Sequence, residues 1–158
     1  MNNIAEAIDE QFVMTVQPHL DDPWQLLYRY IEVLHGKTTL KNLITREFEI
    51  TASEDEMRRL DYLLRAQLNK QRMFTSCGWF FEDFDRLEPR KNVIYAAQAV
   101  WWTRLATGLD LIPKARQWLS LVKSWRSGLS ADMVFNGQID RVRYEQLVFP
   151  FVQSDEAD

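Results

Sequence analysis

The sequence predicts an all-α fold: a single-domain helical bundle of about six helices, with a small hairpin or irregular element near the C-terminus. Three observations lead there. Apolar residues recur at three- and four-residue steps along nearly the whole chain, which is the period of one helix face. Only five glycines and five prolines occur in 158 residues, too few for the tight turns of a many-stranded sheet. Helix start and stop residues bracket the periodic segments.

Taken in order, Ile4, Ile8 and Phe12 mark a first amphipathic helix that ends before Pro18. Asp22 caps a second, Pro23 fits its first turn, and Gly36 ends it. Leu26, Leu27, Tyr30, Ile31 and Leu34 form its apolar face. The stretch TTLKNLITREF gives a short third helix capped by Thr38 or Thr39. Ser53 and Glu56 form the capping box of a fourth, with Met57, Leu60, Leu64 and Leu68 down one side and Gly78 at its C-terminal cap. A fifth spans residues 89–107, turns Val93, Ala97, Val100, Trp101 and Leu105 inward, and stops at Gly108. A sixth begins at Pro113 and ends at Gly128, with Trp118 and Trp125 on its core side. In the tail, Asn136 and Gly137 are a hairpin-turn signal, so MVF and QIDRV read as two short strands; residues 139–147 read alternatively as one more helix. The helical domain spans residues 1–153, with 154–158 as a frayed tail.

Composition excludes several function classes. Net charge is −4, so no basic excess is available to displace counterions from nucleic acid. No apolar stretch approaches the ~20 residues of a membrane span, and the N-terminus is not a secretory signal. The single cysteine, Cys77, cannot form an internal disulfide, which points to a reducing, cytoplasmic setting. His19, His35 and Cys77 lie far apart and in no metal-binding motif, and the glycines are scattered, so neither a metal nor another cofactor is expected.

The chemistry-bearing stretch is TSCGWFFEDFDRLEP, residues 75–89. Four aromatic rings and four carboxylates share one connector between two long helices. One reading folds Trp79 and the phenylalanines back over the helix ends, with Glu82, Asp83, Asp85 and Glu88 left solvated and Cys77 an inert buried thiol. The other is a sugar-binding surface: Trp79 is the platform, Glu82, Asp83 and Asp85 accept from hydroxyls, and Trp24 or Tyr95 lies nearby. Paired carboxylates also suit acid–base work on a glycosidic bond. A protein-interaction surface would instead centre on Trp102 or on Phe149 and Phe151. Helical spacing turns Trp102 to the margin of the buried stripe of its helix.

The run MFTSCGWFFEDFDRLEPRKNVIYAAQAV, with LDDPWQLLYRYIEVL upstream, resembles the helical domain-of-unknown-function family 3536 over roughly residues 19–107. The matched positions include Asp22, Pro23, Trp24, Tyr30 and Ile31, then residues 75–83, then Tyr95, Ala96, Ala97 and Ala99. The resemblance implies a helical domain that follows the catalytic barrel of proteins similar to family-57 glycoside hydrolases. A chain of 158 residues leaves no room for that barrel. The expected function is therefore a non-enzymatic accessory or interaction domain of carbohydrate-active type, with no catalytic residues assigned. Its partner would be a barrel-type carbohydrate-active protein or a second copy of the chain. The alternative is an oligosaccharide-binding module, or a glycoside-processing fragment, that uses the connector.

Overall fold

The computed structural model describes residues 1–80 and 82–148, the side chains of Trp79 and Val148 not among them. The expected tail at 154–158 and the pair Phe149 and Phe151 lie outside these residues. Seven α-helices and no strand occur among them: α1 (Asn2–Val16), α2 (Pro23–Leu34), α3 (Leu40–Asn42), α4 (Glu54–Arg72), α5 (Leu87–Thr107), α6 (Ile112–Leu119) and α7 (Ala131–Val148). A π-helical turn, Leu43–Glu47, prolongs α3, and a 3₁₀ turn, Ser76–Trp79, follows α4. None of the described helices is long and apolar enough to cross a membrane.

Local signals place most of these boundaries. Asp22 accepts the Trp24 N–H at 3.0 Å, and Thr39 accepts the Asn42 N–H at 3.1 Å. At α4 the capping box is complete: Ser53 Oγ accepts from the Glu56 N–H, and Glu56 Oε2 accepts from the Ser53 N–H at 2.8 Å. That backbone donation, first among its causes, holds the Glu56 carboxyl below the usual glutamate range. Gly108 closes α5 at φ 76°, a left-handed conformation that costs glycine nothing.

The paired helices α4 and α5 form the centre. Ala66 on α4 and Ala96, Ala97 and Ala99 on α5 are fully buried. Buried residues occupy most of the circumference of α5, and half-buried Tyr95, Gln98 and Trp102 line the remaining side. Packed about this pair are two apolar clusters. One joins Ile4, Ile8, Met73, Val100 and Phe135; the other joins Phe12, Val16, Leu26, Leu43 and Leu63. Trp102 and Leu105, half-buried, pack against both.

Three segments depart from expectation. Helix α6 stops at Leu119 rather than at Gly128, because serines compete for the backbone: Ser120 Oγ donates to Gln117 O, and Ser124 Oγ accepts from the Arg126 and Ser127 N–H groups. Trp118 is therefore only half-buried and Trp125 is exposed, not core. The 120–130 segment, expected to be helical, is instead irregular and closed by an antiparallel bridge between Lys123 and Ser130. Second, the strands read around Asn136 and Gly137 are absent, and α7 runs straight through them. Ala131, Phe135 and Ile139 recur at four-residue steps and are all buried, so packing overrides the local turn preference. Third, α4 ends at Arg72, well before Gly78, and Ile31 and Leu34 on α2 are exposed.

Gly137 sits within α7, and a Cβ there meets nothing within 4 Å. Gly137→Ala should raise stability by about 0.5–1 kcal/mol in denaturant unfolding; a hairpin turn at that position would give a loss instead. Glu56 should titrate below an ordinary glutamate by carboxyl-carbon NMR, and Ser53→Ala should move it up. Because the folded value is depressed, the box stabilises the fold above the unfolded-state value and loses that contribution as pH falls through the folded one.

Candidate functional site

The connector after α4 turns sharply because two polar contacts fix it to α5. Thr75 Oγ1 donates to Asn92 Oδ1 at 2.7 Å, and Asn92 Nδ2 donates back to Thr75 O at 3.2 Å. Gly78 lies directly against Asn92, where an added Cβ would come within 2.2 Å of the amide nitrogen. Close approach, not helix capping, is what requires glycine here.

Phe84 is 8% exposed and enters the first apolar cluster, as a core-plugging connector requires. Phe80 behaves oppositely, at 81% exposed. Phe81 and the Trp79 side chain fall outside the described residues. Cys77 is exposed in the 3₁₀ turn, which corrects the expectation of a buried thiol.

The acids also divide. Glu82 is exposed. Asp83, expected in solvent, is only 5% exposed. Its Oδ2 accepts from Ser124 Oγ at 2.8 Å, and its Oδ1 accepts from the Trp125 N–H at 3.3 Å. These bonds compensate a carboxylate taken out of water. They also tie the connector to the 120–130 segment, and Ser124 in turn caps the turn that follows it. Asp85 pairs with Arg90. Two of the three acids proposed to meet sugar hydroxyls are thus already engaged by protein donors.

Trp24 lies apart from the connector's cluster. It packs with Phe12, ring centroids 5.5 Å apart, beside the second cluster, with Lys70 Nζ 5.6 Å from its ring. Tyr95 packs on the first cluster beneath Arg72, whose guanidinium carbon is 5.9 Å from the ring. Among the described residues no group of three or more His, Cys, Asp or Glu side chains is arranged to hold a metal ion.

A pocket of about 200 Å³ opens beside the connector, lined mainly by apolar groups of Phe84, Pro89, Val93, Leu119, Val122 and Ala131. Large side chains are exposed on the connector, Phe80, at the start of α5, Leu87, and on the 120–130 segment, Leu121 (86%), Val122 and Trp125 (71%). Sequence reasoning missed the 120–130 contribution, because Trp125 at helical spacing from Trp118 mimics a core position. Ser120 and Ser124 between them, with Ser127 just beyond, were the signal available.

Gly78→Ala should destabilise the chain by about 1–3 kcal/mol, as overpacking against Asn92 does, read from the denaturation midpoint. Cys77 should react fully with a thiol reagent in the folded protein, without denaturant.

In the comparison with protein families, the model described as "Domain of unknown function (DUF3536)" matches residues 1–147, extending the resemblance at both ends. No curated protein and no solved structure matches the chain.

Proposed function

The chain belongs to the DUF3536 family, and from that premise we propose that it is a non-enzymatic accessory domain that docks onto a carbohydrate-active protein of barrel type. The observation that carries this reading is the exposure of Phe80, Leu121 and Trp125 on segments that the Asp83 carboxylate ties together. Monomeric proteins seldom leave large apolar side chains grouped in water, and aromatic anchors dominate the energetics of interfaces. A face fixed in advance loses less freedom on association. The barrel partner comes from the resemblance of the connector sequence; a second copy of the chain is the other candidate. The lone cysteine suits a reducing, cytoplasmic setting.

Glu82 is exposed two residues from Phe80, which supports a second reading as an oligosaccharide-binding module with Trp79 as platform and Glu82 as acceptor; Asp83 and Asp85, expected beside them, are engaged by Ser124, Trp125 and Arg90.

Sedimentation of the chain alone, and mixed with a purified barrel protein of family-57 type, tests the first reading. A complex or a dimer is expected, lost in the Leu121→Asp/Trp125→Asp variant. A monomer under both conditions, or association unchanged by the variant, would rule it out. Titration with maltoheptaose, followed by tryptophan fluorescence, tests the second; no response at millimolar sugar removes it.

A further inference from the structure

The seam between α4 and α5 carries a basic and aromatic face remote in character from the connector. The Arg65 guanidinium carbon lies 5.4 Å from the Trp102 ring centroid, and that ring packs on Tyr62 at 5.4 Å. Two helical turns further along, Arg72 lies 5.9 Å from the Tyr95 ring. Arg65 and Arg72 are seven residues apart on α4, as Tyr95 and Trp102 are on α5. The helices run antiparallel, so the two units repeat at about 10.5 Å along the seam. Both arginines are exposed, and both rings are half-buried. Asp61 takes the Nε of Arg65 at 2.8 Å; among the described residues no ion pair engages Arg72.

We propose that this seam docks an acidic helical segment of a protein partner, with carboxylates at seven-residue steps meeting Arg65 and Arg72. The inference rests on the reading of the chain as an interaction domain but uses a different face from the connector. Positions i and i+7 of a helix are about 10.5 Å apart along its axis, which matches the rise between Arg65 and Arg72 on α4. Each guanidinium is held against a ring and presents a planar fork suited to a carboxylate. Arginine, tryptophan and tyrosine are also the side chains that dominate interface energetics. In a chain of net charge −4 a local basic strip selects both the partner and its orientation. Sugars and bases are disfavoured because arginines already lie over the ring faces on which they would stack.

The test uses a capped helical peptide with glutamates at seven-residue steps, and a twin carrying glutamines instead, titrated at low salt into the ¹⁵N-labelled full chain. The glutamate peptide should shift the Trp102 indole and the Arg65 and Arg72 side-chain resonances, and the twin should not. Arg65→Gln/Arg72→Gln should weaken binding about tenfold or more, while Arg141→Gln, at an exposed pair on α7, should not. If the glutamine variant does not fold, Arg65→Lys/Arg72→Lys keeps the charge and should show a smaller loss. Binding should persist in Leu121→Asp/Trp125→Asp, so a failure here is distinguishable from a failure of the connector-face reading. No shift with either peptide, equal binding of both, or unchanged affinity in the seam variants overturns the proposal. So does tighter binding of an oligonucleotide or an oligouronate to the same resonances.

Discussion

A carboxylate buried between two loops fixes how those loops sit against each other. Asp83 accepts from the Ser124 hydroxyl and the Trp125 N–H, and so joins the α4–α5 connector to the turn between α6 and α7. A charged group in that position is costly without donors, and removal of one partner leaves the other unsatisfied. Both loops are therefore held in a single arrangement. Phe84 is directed into the core on one side, and Trp125 and Leu121 remain outside on the other. The Asn92–Thr75 pair does related work at the start of the connector, with Gly78 permitting the close approach.

This loop architecture depends on the helical pair behind it. Arg65 and Arg72 of α4 meet Trp102 and Tyr95 of α5, so side chains of both helices share one surface. On that surface the larger residues make alternating arginine and aromatic units. The same pair carries both apolar clusters, with Trp102 and Leu105 packed against each. One central contact thus supports a plugged connector at one end and a basic seam along its side.

Much of this was legible in the sequence because helix boundaries are written locally. Ser53 with Glu56, Thr39, Asp22 and Gly108 each name a cap through chemistry confined to a few neighbours. The 120–130 segment was not legible in the same way, since the tryptophan spacing of a helix and the serine bonds that end one occupy the same residues. At Asn136 and Gly137 the local turn signal was genuine but lost to the buried Ala131, Phe135 and Ile139 ladder. Asp83 was unreadable for a different reason: its hydroxyl partner lies 41 residues away, and nothing in the sequence says which serine will meet it. The position of Trp24 was unreadable for a similar reason: it packs with α1, by the second cluster rather than the connector's.

A double-mutant cycle between Asp83→Ala and Ser124→Ala, read by denaturant unfolding, examines the junction most directly. If the carboxylate and hydroxyl hold the two loops together, the single substitutions are non-additive, with a coupling of about 0.5–3 kcal/mol, and Trp125 fluorescence changes in all three variants. Additive losses with Trp125 emission unchanged would mean that the loops keep their places without this bond, and that the exposed apolar face has some other origin.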